Sequence, residues 1–314
     1  MSLKEDLLER LIADGDYVNG EQLAADLGKS RAAVWKAVKA LQKEGWDIAA
    51  VRNRGYRLSE SNDLLSAARV NRFLNRDIEV LYYPVIDSTN NEAKRLLADN
   101  GAQLPALIVA NEQSAGRGRQ GKSFYSPADT GIYFSFVTEP KVSLQNAVGA
   151  TTAAAVAVCR AIEGLTDAKP QIKWVNDVYL NGAKICGILT EAVTDFESGT
   201  VSAVIIGIGI NISTLTFPEE VENAGCLGRK IQRAELVGAI ARELLEIAFC
   251  DTAEYIDYYR SHSMLLGRKI NFIENGRVTP ATALAIDERG GLTVKTENGE
   301  IKTLRSGEIS IRPI

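Results

Sequence analysis

The chain has 314 residues, 46% hydrophobic and 24% charged, the composition of a folded protein of about two or three domains rather than a disordered one. Its apolar runs fall short of the roughly 20 residues a membrane helix needs, its acidic, amphipathic start does not read as a secretory leader, and four dispersed cysteines without a C-x-x-C pair fit a reducing cytoplasm. A single histidine, His262, argues against His-based triads and metal sites, and the net charge of −4 argues against a nucleic-acid binder only when averaged over the whole chain.

The charge is locally polarised. Residues 1–28 carry two basic and seven acidic side chains, net −5, whereas residues 29–57 carry eight basic and two acidic, net +6. Leu7, Leu8, Leu11 and Ile12 have helical spacing. A short helix over Glu21–Leu27 stops at Gly28, and Ser30 caps a third helix from Arg31 to about Lys43. Val34, Val38 and Leu41 share its inner face; Arg31, Trp35, Lys36 and Lys39 share the outer one. Trp46 to Leu58 then reads as a hairpin with Arg52-Asn53-Arg54-Gly55 at its tip. Two helices joined by a glycine turn, the second basic and Ser-capped, followed by an arginine-tipped hairpin, predict a winged helix-turn-helix that contacts DNA. Ser30, Arg31, Trp35, Lys36, Lys39, Arg52 and Arg54 are its candidate contacts, since cations and helix N-terminal amides hold phosphates.

After a polar connector at Ser59–Asp63, a mixed α/β region is expected. Strands are predicted at Ile78–Val85, Ala106–Ala110, Gly131–Thr138, Ile172–Val175, Val178–Leu180, Lys184–Ala192 and Val201–Ile212. Helices are predicted at Ser88–Ala98, at the Ala-rich Gln145–Ile162 and over the long stretch Ala234–Tyr259. From Gly267 the short strands Lys269–Ile273, Thr282–Ile286, Leu292–Thr296 and Ile309–Arg312 suggest a small β-barrel.

Gly116 to Ser123 satisfies the phosphate-loop pattern G-x-x-x-x-G-K-[ST]. The context is wrong for it: the preceding strand ends early, and Pro127 and Gly131 forbid the helix that would hold the phosphates. The loop still reads as an anion site, because its glycines admit a ligand and Arg117, Arg119 and Lys122 supply cations. The Asn181-Gly182 hairpin brings Asn176, Asp177 and Lys184 together, where an acid can hold Mg²⁺ or a ribose hydroxyl and a lysine can neutralise a carboxylate attacking a phosphate. Asp87-Ser88-Thr89-Asn90 is a helix cap whose hydroxyls can also orient a polar ligand.

Five motifs thus stand in order: Asp87-Ser88-Thr89-Asn90, Gln113-Ser114-Ala115-Gly116-Arg117-Gly118-Arg119, Lys173-Trp174-Val175-Asn176-Asp177, Lys184-Ile185-Cys186-Gly187-Ile188-Leu189 and Gly207-Ile208-Gly209-Ile210-Asn211. Together they resemble the biotin protein ligases. With the predicted DNA-binding domain and small barrel, the resemblance to the bacterial bifunctional biotin ligases and biotin operon repressors covers essentially the whole chain. It implies an α+β, multidomain fold: a winged helix-turn-helix over 1–62, a mixed α/β ligase domain over 63–266 and an SH3-like β-barrel over 267–314.

The resemblance also implies substrates and roles. Biotin and ATP, with Mg²⁺, would give biotinoyl-AMP and pyrophosphate; biotin would then pass to a lysine of a biotin carboxyl carrier protein. Operator DNA of biotin synthesis genes would be the second partner, bound by a homodimer when the adenylate is in place, with no membrane involved. Ser88, Thr89, Gln113 and Arg117 match the biotin pocket, and Lys184 the lysine between the biotin carboxylate and the α-phosphate. Arg119, Asn176, Asp177 and Asn211 match the nucleotide side, and Lys184, Arg117, Arg119 and Asp177 the catalytic set. Two positions depart from the family pattern: Val175 replaces a proline and Phe124 a tryptophan. The stretch Phe217–Gly228, where the repressors often carry an adenine-covering tryptophan, has none; Phe217, Val221 and Leu227 are its candidate substitutes. A ligand-sensing regulator without catalysis and a lipoate-type acyl ligase share parts of this pattern. Lys184 with Arg117-Gly118-Arg119 favours chemistry over sensing, and Ser88, Thr89 and Gln113 favour biotin over lipoate.

Overall fold

The computed structural model describes the chain except residues 1, 60–62, 100–102, 141–146, 196–198, 250–251, 275–276, 306–307 and 311–314. The chain forms two compact units, residues 1–77 with 230–239, and residues 78–229 with 240–314.

The first unit contains α1 (Leu3–Asp14), α2 (Gly20–Asp26), α3 (Arg31–Lys43), β1 (Ile48–Val51), β2 (Gly55–Leu58) and α4 (Ala67–Leu74). Ser2 and Glu5 close a capping box on α1, Asn19 caps α2, and Ser30 caps α3 by accepting the Ala33 amide at 3.2 Å. The apolar faces meet in one core of Leu7, Leu11, Leu23, Val34, Val38, Leu41, Trp46 and Ile48. β1 and β2 pair antiparallel, Ile48 opposite Leu58, and form the predicted wing. Gly55 cannot carry a side chain there: its φ is +105°, and a Cβ would stand 1.9 Å from the Val18 carbonyl oxygen. α4 is absent from the expectations, because an eight-residue helix gives too few turns for its apolar pair Val70 and Leu74 to stand out.

The second unit is built on a seven-stranded sheet. Its strands are β3 (Glu79–Ile86), β4 (Ala106–Gln113), β5 (Gly131–Thr138), β6 (Gln171–Lys173), β7 (Asp177–Leu180), β8 (Ala183–Thr194) and β9 (Val201–Asn211), in the spatial order β3-β4-β5-β9-β8-β7-β6. Only β3 and β4 run parallel, and α5 (Thr89–Ala98) crosses between them, as a parallel connection requires. Ala93 of α5 packs on Ile108, Val137 and Ile205. The Ala-rich α6 (Ala147–Leu165) buries residues such as Ala153, Val156 and Cys159 completely. Its stretch Val148–Leu165 is long and apolar enough to cross a membrane by composition, but 72% of it is buried inside the protein, which makes it a core helix.

The predicted long helix Ala234–Tyr259 is two helices, α7 (Arg233–Phe249) and α8 (Thr252–Ser261). Buried apolar residues on both sides of the break, Ile247 and Ala248 before it and Tyr255 and Ile256 after it, sustain one helical periodicity in the sequence. The C-terminal strands β10 (Lys269–Glu274), β11 (Arg277–Ile286), β12 (Leu292–Thr296), β13 (Ile301–Leu304) and β14 (Glu308–Ser310) make an antiparallel sheet in the order β13-β12-β11-β10-β14. β13 is missing from the sequence reading because Ile301 is 65% exposed and only Leu304 is buried. Residues 311–312 of the predicted last strand lie outside the described residues. This sheet is tied to the larger one by the Trp174 indole N–H, which donates to the Gly290 carbonyl at 2.8 Å.

Candidate active site

The second unit encloses a cavity of about 700 Å³, in the range typical of small-molecule sites. Its walls come from the N-terminus of α5, the loop after β4, the β6–β8 hairpins, the glycines of β8 and β9, and the segment around Glu222 and Asn223. Met264 and Ile273, at the start of the C-terminal sheet domain, complete it.

At the α5 end the floor is polar and neutral, with the Arg117 guanidinium beside it. β4 runs three residues past the predicted Ala110 and so delivers Gln113 to the cavity. The Gln113 Oε1 accepts from the Thr89 amide at 2.9 Å and the Thr89 hydroxyl at 3.2 Å, and its Nε2 donates to Ser126 Oγ at 2.9 Å. Ser88 occupies the N-cap position, yet its side chain makes no capping bond. The hydroxyl is therefore not spent on the helix, unlike those of Ser30 and Ser66.

At the other end the lining is cationic. Lys184 Nζ lies 2.7 Å from Asp177 Oδ1 across the β7–β8 hairpin. The turn residues Asn181 and Gly182 both have positive φ, as the tight asparagine–glycine turn demands. Asn176 bridges: its Nδ2 donates to Asp177 Oδ1 at 3.1 Å and to the Ile188 carbonyl, while its Oδ1 accepts from Arg119 at 3.1 Å. Among the described residues, Arg117, Arg119, Lys122, Lys173 and Lys184 line the cavity, with the carboxylates of Asp177 and Glu222. Lys173 Nζ sits 5.5 Å from the Tyr179 ring centre; burial, helped by the Asp177 charge, pushes the Tyr179 hydroxyl up to about 12.

Between the two ends the floor is bare backbone. Gly187 and Gly209 pair across β8 and β9, and the Phe124 ring lies on both. A Cβ on Gly209 would stand 2.5 Å from that ring, so the glycines make the space that the aromatic fills. Phe124 also meets Tyr133 edge-on, with ring centres 6.4 Å apart.

The loop Gly116–Ser123 is not a phosphate loop of the G-x-x-x-x-G-K-[ST] kind. It contains a single 3₁₀ turn at Arg119–Gly121 and leads into β5 rather than into an α-helix. The Trp174–Val175 peptide is cis.

The structure thus brings Ser88, Thr89, Gln113, Arg117, Arg119, Asn176, Asp177 and Lys184 to one cavity. Asn211 is not on its wall. It is buried under the segment after β9, where its Nδ2 donates to the Gly225 carbonyl at 3.0 Å and its Oδ1 has no partner among the described residues. Phe217, Val221 and Leu227 do not line the cavity either; Leu227 is buried and Phe217 packs edge-on against Tyr125. His262 stacks on Tyr258 and does not line the cavity. Cys159, Cys186 and Cys226 are free thiols, and Cys250 lies outside the described residues.

Two polar residues, Ser135 and Glu191, escaped the sequence reading, and a third, Asn90, stands there only as part of a helix-cap motif. Asn90 and Ser135 are almost wholly buried, and Glu191 stands on β8 behind the cavity wall. A polar residue interrupting an apolar strand is the signal that marks Ser135, in Phe134-Ser135-Phe136.

In the first unit, Arg31, Trp35, Lys36 and Lys39 share the exposed face of α3, with Trp35 52% exposed. Arg31 pairs with Glu21 at 2.7 Å. Arg52 and Arg54 are at the wing tip, and the Arg54 and Arg57 guanidinium groups lie 4.4 and 4.8 Å from the Tyr17 ring centre.

Comparison with known proteins agrees with this anatomy. Residues 82–211 match the model of the biotin/lipoate A/B protein ligase family, residues 4–57 an HTH domain, and residues 265–312 the biotin protein ligase C-terminal domain. The bifunctional ligase/repressor BirA of Bacillus spizizenii is 35% identical, over 99% of each chain. That of Escherichia coli is 31% identical over 96% of this chain and 95% of its own. Among solved structures, a biotin protein ligase from Aquifex aeolicus in complex with biotin and ATP superposes with a TM-score of 0.63 at 27% identity, covering 74% of this chain and 98% of that one. Domain order, full-length similarity and the assembled cavity lead to one conclusion: the chain belongs to the family of bifunctional biotin ligase/repressors.

Proposed function

We propose that the protein is a biotin–[biotin carboxyl-carrier protein] ligase that activates biotin as biotinoyl-AMP, and that the same adenylate makes it a repressor of biotin synthesis genes. The observation that carries the ligase reading is the polarity of the cavity: a neutral hydrogen-bonding floor at Ser88, Thr89 and Gln113 with Arg117 beside it, and towards the other end four further cations, Arg119, Lys122, Lys173 and Lys184, with the carboxylates of Asp177 and Glu222. The neutral end suits a ureido group, which offers two N–H donors and one carbonyl acceptor; the cationic end suits a carboxylate beside a triphosphate.

In this reading the biotin carboxylate oxygen attacks the α-phosphorus of MgATP. The bond to the bridging oxygen of pyrophosphate breaks, and pyrophosphate leaves. Lys184 offsets the repulsion between the two anions, and Asp177 holds the Lys184 ammonium in place. Arg119, fixed by Asn176, faces the phosphates. The unpartnered, buried Asn211 Oδ1 supports a base-binding role once the segment over it moves, because an orphaned acceptor suits an adenine amino group. In the second half-reaction a lysine amine of the carrier protein attacks the acyl carbon and AMP departs. This work fits the cytoplasm, where the carrier would be met. The test is transfer: with biotin and MgATP, a carrier protein should gain one biotin on one lysine, and no gain would reject the ligase reading.

The DNA side rests on the exposed basic face of α3 and the arginine-tipped wing. The reading has the adenylate order the loops at 116–122 and 217–228 and favour a homodimer that engages two half-sites. Such coupling is typically about 1–3 kcal/mol and is reciprocal. Operator DNA should therefore bind more tightly in the presence of biotin and ATP, with a dimer visible by sedimentation. Arg31→Ala and Lys36→Ala are each expected to weaken binding and to flatten its salt dependence by about one counterion per lost phosphate contact. An unchanged salt slope in both variants would place the DNA elsewhere.

A further inference from the structure

The Arg117 guanidinium reaches out of its loop to two acceptors. Its Nη1 donates to Asn91 Oδ1 at 3.0 Å and to Glu191 Oε2 at 3.2 Å. Asn91 is itself fixed, since its Nδ2 donates to Asp87 at 2.9 Å, and Asp87 is paired with Arg95. Glu191 does not line the cavity. It projects from β8 behind Arg117, and its side chain is 19% exposed.

Both Glu191 oxygens are held from α5. Lys94 Nζ lies 2.7 Å from Oε1, and Asn90 Nδ2 donates to Oε2 at 2.9 Å. Asn90 is 3% exposed and has no room to move: its Oδ1 accepts from Ser135 Oγ at 2.6 Å, its Nδ2 also reaches the Leu189 carbonyl, and a Cβ on Gly207 would stand 2.1 Å from its Oδ1. Ser135 Oγ lies 2.8 Å from Thr89 Oγ1, and Thr89 bonds Gln113. One buried polar chain therefore runs from the neutral end of the cavity to the carboxylate that receives Arg117. Burial opposes ionisation of Glu191, but the bonds from Lys94 and Asn90 and the Arg117 charge outweigh it and hold the carboxyl below its ordinary range.

We propose that Glu191 is a positioning residue for the activation reaction: anchored by Asn90 and Lys94, it holds the Arg117 guanidinium over the α5 end of the cavity before substrate arrives. The inference rests on the ligase reading above for its catalytic consequence, but not for the anchoring itself. An arginine on a glycine-flanked loop has many rotamers to lose, and a fixed carboxylate removes that loss from the binding step. Because Glu191 is off the cavity wall, its effect passes through Arg117.

The experiment uses the full-length protein with Glu191→Gln, Arg117→Ala, the double variant, and Asn91→Ala. The last removes the second acceptor without entering the buried chain, so it keeps the anchor testable if Glu191→Gln does not fold. Limited trypsin digestion without ligand reports the loop directly, since Arg119 and Lys122 are cleavage sites. Glu191→Gln should speed cleavage there by about threefold to tenfold at an unchanged melting temperature, and Asn91→Ala should act in the same direction. Steady-state pyrophosphate release should show the biotin KM raised about tenfold by Glu191→Gln, kcat changed less than about threefold, and little further KM loss when Arg117 is already alanine. Unchanged cleavage in Glu191→Gln, or in Asn91→Ala where Glu191→Gln does not fold, overturns the anchor, and fully additive KM losses overturn its action through Arg117. If the wild-type chain releases no pyrophosphate with biotin, the ligase reading fails while the digestion still decides the anchor.

Discussion

Replacing Lys184 with alanine is expected to slow biotin-dependent pyrophosphate release by about 10²–10³ while leaving the protein folded. The argument is electrostatic. A carboxylate must approach the α-phosphorus of a polyanion, and Lys184 is the cation held on the hairpin that closes this end of the cavity, 2.7 Å from Asp177. Its removal takes away the charge that favours the approach and leaves Asp177 facing the phosphates unneutralised. Both effects grow as the two anions close on one another and the departing pyrophosphate gathers charge, so the loss should appear chiefly in kcat. Folding should survive, because the Lys184–Asp177 pair is partly solvated and such pairs contribute little to stability. Lys184→Arg would keep the charge but replace a compact ammonium by a planar fork, and should recover only part of the rate. Near-normal turnover in Lys184→Ala would remove Lys184 from the centre of the mechanism.

Arg119→Ala and Ser123→Ala should separate two uses of one loop. In a phosphate loop the final Ser binds Mg²⁺, and its loss would cripple ATP use. Here the loop has one 3₁₀ turn, Ser123 makes an isolated bridge with Arg117, and the chain goes on to a strand. Arg119, by contrast, reaches Asn176 beside the Lys184–Asp177 pair. Arg119→Ala is therefore expected to lower kcat/KM for ATP by about 10², and Ser123→Ala to change it by less than about twofold. Steady-state kinetics at varied ATP decide the matter; a severe loss from Ser123→Ala beside a mild one from Arg119→Ala would reverse the assignment.

The parts of this molecule that were legible in the sequence are those whose cause is local. The Ser30 cap and the one-sided placement of Val34, Val38 and Leu41 define α3 within thirteen residues. The Asn181-Gly182 turn fixes the hairpin that joins Asp177 to Lys184. Pro127 and Gly131 exclude the phosphate-loop helix. What escaped depends on partners far along the chain. Asn90, Ser135 and Glu191 come from α5, β5 and β8, and their chain exists only because β5, β9 and β8 are adjacent in the sheet. The position of Asn211 behind the wall depends on Gly225 and Leu227, which fold back over the end of β9. Short or half-exposed elements, α4 and β13, escaped for the opposite reason: they bury too few side chains to impose a period.

The central claim is that one cavity joins a biotin carboxylate to the α-phosphate of ATP. It is tested most directly by incubating the full chain with MgATP and either biotin or lipoate, quenching, and identifying the products by mass spectrometry together with pyrophosphate. The account predicts biotinoyl-AMP and an equal amount of pyrophosphate with biotin, and neither above background with lipoate. Biotin binding without any adenylate, or an adenylate formed as readily with lipoate, would contradict it.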